Sequence, residues 1–373
     1  MAKLGEVCKL NMGQSPDSSS YNDTGDGIPF FQGNADFGEV HPNIRVWCNA
    51  PTKIAHPGEI LISVRAPIGA MNIADCECCI GRGLASISAD EAVCTTKYLW
   101  YGISSKIEEL NAKGTGSTFK AVNKKTLEET EIPIRDLMEQ ERIAATLDSV
   151  TALITLRKQQ LKKLDELVKA RFVEMFGDPV NNPMNYPKSQ LGKVCDVRDG
   201  THDSPEYYDV GYPLVTSKNV TGGKIDLSEC NLISEDDYKK ICERSKVDRG
   251  DIIMPMIGTV GKPVIVNIEP MFAIKNVALI KFTLDSLVTN IYIKTLLESD
   301  YFDRAVLDKI RGGTQKFIAL GDIRKLEIIL PDLKHQQCFS TFVECVDRQK
   351  QTVQQSLEKL ELMKKALMQE YFG

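Results

Sequence analysis

The chain has 373 residues, 42% hydrophobic and 26% charged, with 46 Lys or Arg against 51 Asp or Glu for a formal charge of −5. That composition belongs to a core-forming globular protein, excludes collagen-like, fibrous and disordered chains, and at about 100–200 residues per domain allows two or three domains. No apolar run reaches the ~18–20 residues of a membrane span, residues 1–10 lack the pattern of a signal peptide, and an odd number of cysteines, 11 in all, fits reduced thiols; the expectation is a cytoplasmic protein with no membrane partner.

The first segment, residues 1–135, opens on Leu4-Gly-Glu-Val-Cys-Lys-Leu10. Phe30-Phe31 and residues 59–64 read as short strands bounded by turn residues, and residues 97–110 as a helix. A basic glycine loop, Lys113-Gly-Thr-Gly-Ser-Thr-Phe-Lys120, leads to Lys124 and Lys125. Residues 136–177 read as one long helix. Pro133 precedes it, and Asp136 and Glu139 have capping-box spacing. Ile143, Leu147, Val150, Ile154, Arg157, Leu161, Leu164, Val168, Arg171 and Met175 step alternately by four and three, the seam of a coiled coil. Gly177 supplies a stop, and residues 178–187 form a linker.

The second segment, residues 188–331, repeats the first. Leu191-Gly-Lys-Val-Cys-Asp-Val197 echoes the opening, and Asp248-Arg-Gly-Asp-Ile-Ile-Met254 echoes His56-Pro-Gly-Glu-Ile-Leu-Ile62. Lys275-Asn-Val-Ala-Leu-Ile280 echoes Arg82-Gly-Leu-Ala-Ser-Ile87, and Arg311-Gly-Gly-Thr-Gln-Lys-Phe-Ile-Ala319 loosely echoes the basic loop. Residues 251–256 and 263–268 read as strands and 286–310 as a helix. Residues 332–373 form a second long helix, capped by Asp332, whose seam is Phe339, Val343, Val346, Lys350, Val353, Leu357, Leu360, Lys364, Leu367 and Tyr371. The endings Glu174-Met-Phe-Gly177 and Glu370-Tyr-Phe-Gly373 match.

The expected fold class is therefore α+β: two pseudo-twofold-related α+β domains separated by two long antiparallel helices forming a coiled coil. Two copies of one unit tend to pack about a twofold, and about 40 helical residues span roughly 60 Å. Such a ruler with two heads suits two half-sites on duplex DNA; pattern alone leaves open a coiled coil that only stabilises a duplicated fold, or one that recruits protein only.

The heads differ in their polar side chains. Gln14, Ser15, Tyr21, Gln32, Asn34 and Arg65 in the first, and Thr201, His202, Tyr207, Ser217, Lys218 and Asn219 in the second, are donors, acceptors and stacking groups of the kind that read base edges. Lys113, Ser117, Lys120, Lys124 and Lys125, with Arg311, Thr314, Lys316 and Arg324, are candidates for phosphate contacts. Leu147, Val150, Leu161, Leu164, Val343, Val346, Leu357 and Leu360 head the helix seam.

Catalytic signatures are lacking. No Walker A motif or complete dinucleotide fingerprint occurs. Asn182-Pro-Met-Asn-Tyr186 reads as a linker turn, and Cys76-Glu-Cys-Cys79 lacks the paired spacing of a zinc site and reads as buried thiols. Four histidines without paired spacing disfavour metal sites and His-dependent hydrolases. A carboxylate-based hydrolase stays open.

Together the Leu-Gly-x-Val-Cys openings, Gly58-Glu-Ile-Leu-Ile-Ser-Val-Arg65, Gly250-Asp-Ile-Ile, the loops ending Ser117-Thr-Phe-Lys120 and Thr314-Gln-Lys-Phe317, Ile132-Pro-Ile-Arg-Asp-Leu-Met-Glu-Gln140 and Phe176-Gly-Asp-Pro-Val-Asn-Asn-Pro183 resemble the specificity (S) subunit of type I restriction–modification systems over nearly the whole chain. The loop match is uneven, since Lys120 faces Ile318. The resemblance implies two target-recognition domains, each reading one half of a bipartite asymmetric site, with the helices setting the gap and docking two methyltransferase subunits. It implies a non-catalytic chain holding no cofactor of its own: S-adenosylmethionine, ATP and Mg²⁺ would sit in the methyltransferase and restriction/translocase partners. Two intact copies argue against a half-length version.

Overall fold

The computed structural model describes residues 1–114, 120–256, 261–306 and 317–373. The chain divides into two compact units, one of residues 1–158 with 355–373 and the other of residues 159–354. Both long helices, Leu137–Phe176 and Leu333–Phe372, contribute to each unit.

The first unit is built on a four-stranded antiparallel sheet in the order Cys8–Met12, Leu84–Ala89, Ile60–Ser63, Met71–Ile73. Its register aligns Leu10, Ile87, Ile60 and Ile73 in one row. The first three of these are buried against Tyr98, Leu99 and Ile103 of the helix Thr96–Ser105. A two-stranded pairing of Ala2–Lys3 with Glu131–Ile132 closes the module. A smaller layer carries the parallel pair Ile28–Phe31 and Cys78–Ile80.

The second unit repeats this plan. Its sheet runs Asp196–Asp199, Val277–Lys281, Ile252–Pro255, Val264–Ile265, and the corresponding row is Val197, Ile280, Ile252 and Ile265. Lys188–Gln190 pairs with Glu327–Ile329, and Tyr212–Val215 runs parallel to Ala273–Ile274. The helix Glu235–Ser245 occupies a stretch that in the first module holds the short strands Trp47–Cys48 and Ile54–Ala55.

Each long helix is fastened at its start by a fully buried glutamine. Gln140 Nε2 donates to the Val93 and Arg135 carbonyls at 2.8 and 2.9 Å, and its Oε1 accepts from Thr95 N at 2.9 Å. Gln336 repeats all three bonds, to Leu287 O, Pro331 O and Thr289 N at 3.0, 2.8 and 2.8 Å. Asp136 and Asp332 accept from the N–H three residues on, at 2.9 Å each. The capping box is only half formed, because the Glu139 carboxylate turns to Arg142 instead.

The helix ends are held by aromatic contacts. In the first unit Phe372 packs on Tyr98 with ring centroids 4.9 Å apart, and Tyr98 donates to Pro133 O at 2.9 Å. In the second, Phe176 packs on Tyr292 at 5.1 Å, and Tyr292 donates to Ile329 O at 2.9 Å. Within each unit the two helical segments run in opposite directions. Phe372 shares a core with Ile143 and Leu147, while Arg157 meets Ser356. Phe172 and Phe176 pack on Phe339, while Asp165 pairs with Lys350 at 2.6 Å.

All ten seam positions are buried or half-buried in each helix. Leu147, Val150, Leu164, Val343, Val346 and Leu357 are buried, with Leu161 and Leu360 half-buried. Lys364 sits at a seam position, where burial and then Lys158 depress its pKa.

Three expected elements differ. The helix expected at 97–110 breaks at Lys106 into Thr96–Ser105 and Ile107–Lys113; Ser104 and Ser105 hydroxyls donate back to the Trp100 and Gly102 carbonyls, a competitor of regular helix bonding. The helix expected at 286–310 begins only after Thr289, whose side chain caps Tyr292 N, and divides into Asn290–Leu297 and Asp300–Ala305. Ser299 donates to Leu296 O at the break, and the last residues of that stretch lie outside the described ones. The strand expected at 263–268 is only Val264–Ile265.

Replacing Gln140 by Ala leaves one N–H and two carbonyls without the partner that the buried carboxamide supplies. Gln140→Ala and Gln336→Ala are each expected to lose about 1–3 kcal/mol of stability, read as a lower denaturation midpoint in urea.

Candidate nucleic-acid interface

The candidate residues gather where the first strand of each module leaves its sheet. In the first module Gly13 follows the strand Cys8–Met12. Its N–H donates to Leu84 O at 2.9 Å, and Gln14 N donates to Ile80 O at 3.0 Å. The crossing is so close that a Cβ on Gly13 would lie 2.2 Å from Gly81 O. Gly200 occupies the same place in the second module. It donates to Val277 O at 3.0 Å, Thr201 N donates to Ile274 O at 2.9 Å, and a Cβ would lie 2.4 Å from Ile274 O. The two edges share one backbone plan.

Beyond the crossing the side chains diverge. In the first module Ser15 Oγ lies 3.2 and 3.1 Å from the two amide atoms of Gln32 and accepts from Arg82 N at 3.2 Å. Asn34 belongs to the adjoining 3₁₀ turn Asn34–Asp36, whose Asp36 carboxylate accepts from Gln32 N at 2.8 Å. Gln14 is exposed, and its carbonyl accepts from Thr52 Oγ1 at 2.5 Å. Val64 N donates to Gly83 O at 2.9 Å and Ala66 N to Lys120 O at 3.1 Å, so Arg65 and Lys120 adjoin the edge. Tyr21 turns inward: it stacks on Phe30 at 4.6 Å, and its hydroxyl, raised in pKa chiefly by burial, donates to Pro16 O at 2.9 Å.

In the second module the 3₁₀ turn is Ser217–Asn219. Lys218 is exposed, while the Asn219 carboxamide accepts from Thr216 N and Oγ1 at 3.0 and 2.9 Å. Lys275 Nζ donates to Ser204 Oγ at 2.7 Å, and Asn276 N donates to Thr201 O at 3.2 Å. The His202 ring lies 2.8 Å from Asn276 Oδ1 through Nδ1 and 2.9 Å from Asp199 Oδ2 through Nε2. Arg244 pairs with the other oxygen of Asp199. Tyr207 is exposed on the same loop.

The phosphate candidates scatter more. Lys113, Lys124 and Lys125 pair with Glu109, Glu128 and Glu129 one helical turn away, and Arg324 donates twice to Val197 O at 2.9 and 2.7 Å. Ser117, Arg311, Thr314 and Lys316 lie outside the described residues. By contrast Arg65, Arg82 and Lys120 are exposed and form no ion pair among the described residues. Arg82 and Lys275 were missed as site residues, although both stand at the same place in a repeated motif. Asp199 and Arg244 carried no such signal.

Among the described residues no group of three His, Cys, Asp or Glu could hold a metal ion, and no helix is long and apolar enough to cross a membrane. Cys78 and Cys79 are buried, and burial pushes the Cys78 thiol up to about 12, which keeps it protonated.

A duplicated module with one backbone plan and two side-chain sets agrees with comparison to known proteins. The family model described as the type I restriction modification DNA specificity domain matches residues 1–166 and 183–362. The chain belongs to that family. It is 42% identical over 161 residues to a Methanocaldococcus jannaschii protein provisionally named the type I restriction enzyme MjaX specificity subunit, an alignment covering 43% of this chain and 38% of that protein. It is 27% identical over 324 residues to the MjaIX specificity subunit of the same organism, covering 78% and 71%. The S subunit of a type I restriction-modification system from M. genitalium shares the fold, with TM-score 0.56 at 15% identity over 100% of this chain and 95% of that one.

The crossings make a direct check available. Gly13→Ala and Gly200→Ala force backbone apart and are expected to cost about 1–3 kcal/mol each. Gly321, in the helix Leu320–Lys325 with nothing within 4 Å of its would-be Cβ, is expected to gain about 0.5–1 kcal/mol on Gly321→Ala. Thermal melts of the three variants read both signs.

Proposed function

We propose that this chain is the DNA sequence-specificity subunit of a type I restriction–modification complex, with each module reading one half of a bipartite asymmetric site. The observation that carries the reading is the repeated strand crossing at Gly13 and Gly200, which offers different side chains from the same backbone frame. Equal frames with unequal polar groups are what two different half-sites require, since base edges are told apart by their donor and acceptor patterns. The domain limits follow the sequence repeat: recognition domains at 1–135 and 188–331, spacer helices at 136–177 and 332–373, and a linker at 178–187.

In this reading the long helices pair as an antiparallel coiled coil that sets the unread gap and docks two methyltransferase subunits, with restriction/translocase subunits joining the complex. The chain is non-catalytic. S-adenosylmethionine, ATP and Mg²⁺ belong to the partners. An acidic chain of charge −5 then binds duplex DNA weakly alone and tightly once basic partner surfaces join it.

Methylation sequencing of cells with this gene and its methyltransferase, against cells lacking only this gene, tests the proposal. A methylated bipartite motif that disappears with the gene is the expected result; an unchanged methylome points to a scaffold that recruits protein only. Four residues inserted in one spacer helix, about 6 Å of rise, are expected to alter the gap and leave both half-sites intact. In salt titrations of the assembled complex on its target duplex, Arg82→Ala is expected to reduce the slope of log K against log salt by about one. Lys113→Ala, whose ammonium is already paired with Glu109, is expected to change it less.

A further inference from the structure

We propose that His202 is the specificity-determining pin of the second recognition edge, acting as an imidazolium that ties the loop at residues 201–204 to the sheet, with Asp199 and Arg244 as its positioning residues. The inference rests on the reading of the edge as a DNA-reading surface.

The ring is bracketed by two oxygen atoms, Asn276 Oδ1 at 2.8 Å from Nδ1 and Asp199 Oδ2 at 2.9 Å from Nε2. An imidazole offers N–H at both nitrogens only when doubly protonated. The partners come from different places: Asp199 ends the first sheet strand, and Asn276, at φ 55°, sits between Ala273–Ile274 and Val277–Lys281. His202 thus bridges the two segments that cross at Gly200, and the loop from Thr201 to Ser204 leaves the sheet at that bridge.

The charged groups set against the ring are Asp199 from the strand and Arg244 from the helix Glu235–Ser245. Asn276 and then Asp199 raise the pKa of His202 above 6.5, and Arg244 opposes them. Burial alone would raise Asp199; the His202 hydrogen bond and Arg244 outweigh it and hold the carboxyl below its usual range. A histidine whose pKa is raised by folding holds its partners fully below its unfolded value and releases them as pH rises through the folded value. At that point the neutral ring retains one N–H and one of the two bonds fails. The first edge does the corresponding work with Ser15, Gln32 and the Arg82 N–H, none of which titrates in that range. Recognition of one half-site should therefore weaken with rising pH while that of the other holds.

The test has two arms. The first follows the imidazole signals of the full chain by NMR across pH, with His202 assigned by the signal that His202→Gln removes. A pKa above 6.5 that falls in Asp199→Asn and rises in Arg244→Gln supports the pin. A pKa at or below 6.5 overturns it, because an Asn276 amide turned to offer its N–H serves a neutral ring equally well. The second arm measures binding of the assembled complex to its target duplex and to duplexes altered in either half, at about pH 6 and about pH 8. Discrimination at one half is expected to fall roughly three- to tenfold at the higher pH, the loss of one hydrogen bond, and His202→Gln is expected to abolish that dependence. Equal pH dependence at both halves, or persistence in His202→Gln, overturns the proposal. Absence of any discriminating binding defeats the DNA-specificity reading itself, and the NMR arm still decides the state of the ring.

Discussion

The structure depends on one buried carboxamide used twice. The carboxamides of Gln140 and Gln336, fully buried themselves, each bond three backbone groups, two carbonyls and one N–H. Each joins a helix N-cap in the module and the residue two before it, Thr95 and Val93 or Thr289 and Leu287, to the first turn of a long helix. A hydrogen bond of this kind is modest in net stability but costly to leave unmade. It also has direction. Two of the three bonds, to Val93 and Thr95 or to Leu287 and Thr289, tie the long helix to its module just ahead of the seam, which begins at Ile143 and Phe339.

From that anchoring the rest follows in order. The seam is buried or half-buried, and among its charged interruptions Arg157 meets Ser356, Lys350 meets Asp165 and Arg171 pairs with Glu174, while Lys364 keeps a depressed pKa. At the other end of the module the sheet delivers its first strand to a crossing too tight for a side chain. Rigid backbone there leaves specificity to whatever lies one residue further on. Ser15, Gln32 and the Asp36 carboxylate hold the first edge, and a carboxylate, a guanidinium and an imidazole hold the second. The frame is common while the chemistry is free to differ.

The sequence showed the frame better than the site. The seam was legible because heptad spacing reports burial directly, and the two modules were legible because their strands repeat. The glutamine anchors carried a signal that went unread: a polar residue at the same place in both copies, inside a segment otherwise chosen for its apolar steps. Side-chain roles at the edge were less legible, since a tyrosine or an asparagine reads alike whether it faces solvent or serves the fold. Tyr21 and Asn219 bond within their own modules, and Arg324 donates to Val197 O. The helix breaks at Lys106 and at Glu298-Ser299 turn on hydroxyls reaching back to carbonyls, a local competition that periodicity does not register.

The placement of Phe372 carries a consequence for how the chain is made. Its ring lies in the core that holds Leu4, Val7, Ile60 and Tyr98, so the segment synthesised first lacks part of its interior until residue 372 has been added. Domains of a nascent chain ordinarily complete themselves in order from the N-terminus. Here the second module can gather Phe172, Phe176 and Phe339 while the first still waits for its last aromatic ring. Of the two modules, the first is begun earlier and completed later.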